Sequence, residues 1–161
     1  MFYEFARNAL IAALIATAAP SFAATPVKEV TVTVDAEALK NNKAAAHWAT
    51  LSGDLTKAIV NRLPTGISEG GAKIDIDIDS VSLATTLQAA TGAAESRLIG
   101  SVKINRTGGD ATDRYDLTIS FADAGVFFPE GTDLTKITTD SKEYYDAMVA
   151  AFADHVVAKL N

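Results

Sequence analysis

The stretch KIDIDIDSVSL, residues 73–83, sets isoleucine at 74, 76 and 78 and aspartate at 75, 77 and 79. Side chains alternate between the two faces of a strand, so this period of two puts all three isoleucines on one side and all three aspartates on the other. A strand with one apolar and one polar face belongs to a sheet that is covered on one side and wet on the other. The competing reading is a calcium loop. That loop needs glycine at its sixth position and glutamate at its twelfth. Counting from Asp75, those positions hold Ser80 and Thr86. A weak cation or small-ligand site on the Asp75, Asp77 and Asp79 face remains the alternative use of this row.

The same alternation recurs on either side. Val30, Val32 and Val34 alternate with Thr31, Thr33 and Asp35. In RLIGSVKINR (97–106), Val102 and Ile104 oppose Ser101, Lys103 and Asn105; in RYDLTISF (114–121), Tyr115, Leu117, Ile119 and Phe121 oppose Asp116, Thr118 and Ser120. The turn-forming TGGDATD (107–113) between the last two predicts a hairpin over residues 97–121. If residues 73–83 and 97–106 are antiparallel neighbours, matching parity sets Asp77 opposite Lys103, Asp75 opposite Asn105 and Asp79 opposite Ser101.

Two segments change period. Leu51, Leu55, Ile59 and Leu63 form one helical stripe within residues 43–63, weakened at Gly53 and ended by Pro64. Tyr145, Met148, Val149, Phe152, Val156 and Leu160 form another, with Asp140 and Glu143 spaced as a capping box at its start. Residues 84–96 have no clear period. The element order is therefore β-α-β-β-β-α. It predicts an α+β two-layer sandwich: a four-stranded, mostly antiparallel sheet with two helices on one face.

Residues 1–23 are expected to lie outside this domain. Arg7, the apolar stretch Ala9–Ala19, Pro20 and the small residues Ser21 and Ala23 follow the order of a secretory signal peptide cleaved before Ala24. The stretch is shorter than the roughly 20 residues that span a membrane. Residues 24–161 then form one domain that is periplasmic and not inserted in the membrane. The net charge of −6 argues against nucleic acid and anionic lipid as partners. With no cysteine, a disulfide framework is excluded and the core alone holds the fold.

Catalytic signals are thin. Gly66-Ile67-Ser68-Glu69-Gly70 matches G-x-S-x-G, and Asp133 or Asp140 with His155 completes a possible hydrolase set around Ser68. The nucleophile elbow, however, turns from strand into helix, whereas this segment leaves a helix and enters a strand. His47 and His155 are the two histidines and do not share metal-ligand spacing, so no metal site is predicted. No phosphate loop or dinucleotide fingerprint is present, and no cofactor is expected. Phe127 and Phe128, before Pro129, either fold back under the helices or present a partner contact.

An export signal, VTVTV (30–34), the helix DLTKAIVNRL (54–63), three strands and the closing helix YYDAMVAAFADHVVAKL (144–160) together resemble small bacterial envelope accessory proteins. The resemblance is to the transport-auxiliary and lipopolysaccharide-assembly lipoprotein type, in element order across most of the chain after residue 23. The sequence departs from that type in lacking the cysteine that carries the lipid anchor. The resemblance implies a non-enzymatic binding or accessory protein with an envelope protein as partner. A small secreted hydrolase using Ser68 is the competing class.

Overall fold

The computed structural model describes residues 24–35, 45–84, 95–108 and 112–161. Strands β1 (Val27–Val34), β2 (Ala72–Ser82), β3 (Arg97–Asn105) and β4 (Thr112–Ser120) form one sheet in the order β1-β2-β3-β4. Both β2–β3 and β3–β4 pair antiparallel, while β1–β2 pair parallel. A parallel neighbour needs a crossover connection. Here it carries the short helix α1 (Ala45–Trp48) and α2 (Leu51–Val60). After β4 come a single turn α3 (Phe121–Ala124), a 3-10 turn at Gly125–Phe127 and the long helix α4 (Lys142–Ala158). The α+β class, the four-stranded sheet and the helix-covered face agree with the sequence pattern.

The core follows from that pattern. Ile74, Ile76 and Ile78 are at most 2% exposed. They share one cluster with Val102, Ile104 and Ile119 of the sheet, Leu51, Leu55 and Ile59 of α2, and Met148, Phe152 and Val156 of α4. Fully burying an aliphatic or aromatic side chain of this size contributes about 1.5–3 kcal/mol, so this shared cluster is what joins the two layers. Asp75, Asp77 and Asp79 are exposed on the opposite face.

The register differs from the expectation by two residues. Lys103 pairs with Asp75, not Asp77; Asn105 pairs with Lys73, and Ser101 with Asp77. The parity is as expected, because Ile74 still meets Ile104 and Ile76 meets Val102. Asp79 has no partner on β3, because the ladder shifts between Ile78 and Ser80. The cause sits across the ladder. Gly100 faces Ile78, and a Cβ there would lie 2.7 Å from the Asp77 carbonyl oxygen and 2.9 Å from Ile78 Cδ1. Only glycine lets β2 approach that closely and slip one residue, and the slip moves the next inward side chain to Val81.

The helix starts also differ. The chain breaks at Ala49–Thr50, not at Gly53, which lies inside α2. The break lets Trp48 enter the core at 1% exposure, edge-on to Tyr145 with ring centroids 5.1 Å apart. At α4 the N-cap is Ser141, whose Oγ accepts the Tyr144 N–H at 3.1 Å; Asp140 stands one residue too early to reach it. The strand ending expected at Phe121 closes instead at Ser120. There Ser120 and Asp123 bond reciprocally and start α3. Residues 1–23, including the expected signal peptide, lie outside the described residues, as do residues 85–94 of the segment without a clear period.

Candidate functional site

α2 and α4 share the core on their inner sides but leave a gap between their outer faces. The face built by Asp54, Lys57 and Ala58 of α2 and continued by Asn61 and Arg62 in the turn that follows repeats at three and four residues. So does the face of α4 built by Lys142, Tyr145, Asp146, Val149 and Ala150. Between them is an open cleft of about 430 Å³, bounded at one end by His47 and Thr50. Small side chains at Ala58 and Ala150 leave this space, since alanine cannot bridge two helices as leucine would.

The end near His47 is tied by hydrogen bonds. Tyr145 Oη donates to Asp54 Oδ2 at 2.6 Å, and Thr50 Oγ1 donates to the same oxygen at 2.7 Å. The His47 ring stacks on Tyr145 with centroids 6.1 Å apart. The Tyr145 bond, then the Thr50 bond, hold the Asp54 carboxyl below the ordinary value of 3.8. Burial, then the Asp54 bond, push the Tyr145 phenol up. Tyr145 is therefore a neutral donor and Asp54 an anionic acceptor, a latch between helices and not an acid–base pair poised near neutrality. Lys142 and Asp146 form an ion pair on the α4 wall.

The latch makes a pH prediction. A carboxyl whose folded pKa is depressed gives stability that is present above its unfolded value and lost as pH falls through its folded one. Tyr145→Phe removes the largest cause of that depression. It is expected to cost about 1 kcal/mol at neutral pH, because Asp54 is accessible enough to be rehydrated. It is also expected to flatten the loss of stability below the ordinary aspartate range. Urea titrations at neutral and acid pH check both; an acid limb as steep as that of the native chain would dismiss the latch.

The residues singled out from sequence are placed elsewhere. Ser68 lies on the connection from α2 to β2. Its N–H donates to the Val27 carbonyl at 2.7 Å, its carbonyl accepts from Gly71 at 2.9 Å, and neighbouring Ile67 bridges to Val27. This is a helix-to-strand connection zipped against β1, not a nucleophile elbow. Asp133 is committed to Thr135 and Lys136. His155 is exposed on α4, with Nδ1 2.9 Å from the Ala151 carbonyl oxygen. Among the described residues no hydrogen bond or ion pair joins Ser68, Asp133, Asp140 and His155 to one another.

On the aspartate face, Asp75 accepts from Asn105 Nδ2 at 3.0 Å and Asp77 from Thr33 Oγ1 at 2.9 Å. Among the described residues no three His, Cys, Asp or Glu side chains converge on a point where a metal ion could sit.

Phe127 and Phe128 are half-buried and pack against the core. Phe128 meets Phe121 edge-on at 5.7 Å, and Phe121 stacks on Tyr144 at 5.6 Å. Beside that aromatic base Val126, in the 3-10 turn, is 84% exposed. The sequence reading passed over Val126. The capping pair Ser120 and Asp123, which fixes the direction of the chain into this loop, was the available signal. Nor was the α2–α4 cleft foreseen, since it depends on which faces of two distant helices meet.

No helix among the described residues is long and apolar enough to cross a membrane. No protein-family model and no curated protein matches the sequence. Among solved structures, the chain is similar to the crystal structure of a "putative lipoprotein" from Caulobacter crescentus. The identity is 11% and the TM-score 0.30, over 81% of this chain and 86% of the other. At that TM-score the likeness carries no argument about what either protein does.

Proposed function

We propose that this chain is a non-enzymatic binding or accessory protein of the bacterial cell envelope, exported to the periplasm with removal of residues 1–23. An envelope protein docks on the loop of Phe127 and Phe128. The observation that carries this reading is the exposed Val126 beside a packed aromatic base. An apolar side chain presented on a pre-ordered loop loses little conformational entropy on binding, and aromatic neighbours enlarge the contact once water leaves. Reactive side chains give a hydrolase no comparable support, because among the described residues no hydrogen bond or ion pair joins Ser68 to Asp133 or His155, Asp133 being held by Thr135 and His155 lying against the Ala151 carbonyl.

Site-specific photo-crosslinking in cells tests the proposal. A photoreactive residue at Val126 is expected to give one discrete adduct, and the same residue at Asp116 on the open sheet face none. The exported chain is expected to have an intact mass corresponding to a start at Ala24. Equal labelling at both positions, or no adduct from Val126 in cells that export the chain, overturns the docking role.

A further inference from the structure

We propose that the cleft between α2 and α4 is a binding site, separate from the Val126 loop, for a small anion carrying a short apolar body. The argument is a balance of charge. The charged or titratable groups facing the cleft are Asp54 and Lys57 from α2, Arg62 just past its end, Lys142, Tyr145 and Asp146 from α4, and His47 from α1. Lys142 pairs with Asp146, while Asp54 accepts from the neutral Tyr145 and Thr50 and keeps its charge, with Lys57 acting on it from one turn away. Three cationic side chains thus face two anionic ones, and Lys57 and Arg62 are the two cations not held in an ion pair among the described residues.

Arg62 Nη1 donates to the Ala58 carbonyl at 3.0 Å, which lays the guanidinium along the cleft wall with its remaining N–H groups free of any acceptor among the described residues. The Lys57 ammonium makes no ion pair or hydrogen bond among the described residues. Asn61, between them on the same face, adds an uncommitted amide. Basic residues in the last turn of a helix also answer its dipole. That role accounts for their charge but not for their shared position on the cleft side.

The chain as a whole carries −6, whereas the cleft holds one more cationic than anionic side chain, so its charge runs against that of the molecule. The floor is Ala58, Val149 and Ala150, which gives apolar surface beside the cationic wall. The volume of about 430 Å³ suits a small molecule and not a folded segment. An alkyl carboxylate or alkyl phosphate is the minimal ligand with both features.

Hexanoate and hexyl phosphate serve as probes, with hexylamine as the control of opposite charge, and backbone amide shifts as the readout. Either anion is expected to move the Ala58, Asn61 and Ala150 resonances saturably, and the tighter of the two identifies the headgroup. The double variant Lys57→Gln/Arg62→Gln, folded as judged by an unchanged melting temperature, is expected to bind about tenfold more weakly, the loss of two exposed charge contacts. Shifts scattered over the surface, no saturation with either anion, equal binding of hexylamine, or undiminished binding by the double variant would each overturn the site.

Discussion

Phe152→Ala is expected to lower the stability of the chain by about 3–5 kcal/mol, the range for emptying a buried phenylalanine site. Phe152 is 0% exposed at the middle of α4, within the cluster that joins both helices to the sheet. The loss has two parts. The ring's transfer from water is forfeited, and a cavity remains because the surroundings are held from several sides. Ile74, Ile76 and Val102 stand on a hydrogen-bonded ladder, and Leu55 and Ile59 on a separate helix, so neither wall can collapse far into the gap. Asp154, two residues on and exposed, provides the control: Asp154→Ala should stay within about 0.5 kcal/mol. Urea denaturation at equal slope measures both. A Phe152→Ala midpoint equal to that of the native chain would mean that α4 does not close the core.

Phe152 was legible in the sequence for the same reason that it matters. A period of 3.6 over 17 residues has few alternative explanations, and all six residues of the expected stripe are buried. The alternation in KIDIDIDSVSL was equally legible, because one strand suffices to say which side chains share a face. What pairs across that face is a different kind of information. Register depends on a close backbone approach at Gly100, a residue with no side chain to enter any hydrophobic pattern. A glycine inside a strand is a sign of such an approach, and the step from Ile78 to Val81 breaks parity at the same place; together they mark the slip.

The cleft was illegible for a deeper reason. Ala58 and Ala150 read as ordinary helix formers, and the latch between Tyr145 and Asp54 spans 91 residues of chain. Local pattern carries no information on that pairing. In GISEGG the opposite happened: a motif was visible, but Gly66 serves a positive-φ turn and Gly71, just beyond the motif, a close backbone approach, and neither presents a nucleophile.

That segment supplies the other large effect. Gly71→Ala is expected to cost about 3 kcal/mol, through overpacking and the loss of backbone hydrogen bonds. A Cβ at Gly71 would lie 2.5 Å from the Val27 carbonyl carbon, 2.6 Å from the Val27 nitrogen and 2.7 Å from the Lys28 nitrogen. Every one of these atoms is backbone, so no side chain can swing aside and the start of β1 itself must move. Moving it strains two bonds that fasten the parallel edge of the sheet: Ala72 N–H to the Pro26 carbonyl and Ser68 N–H to the Val27 carbonyl, each 2.7 Å. Gly70, the preceding residue, has nothing within 4 Å of its would-be Cβ and no positive φ. Gly70→Ala removes freedom from the unfolded chain without a clash, so it is expected to be neutral or to stabilise by up to about 1 kcal/mol. The two adjacent substitutions should therefore change the melting temperature in opposite directions or by very different amounts. Equal, small shifts at both positions would show that the approach of β1 to this connection is not close, and the parallel pairing of β1 with β2 would lose the contact that starts it.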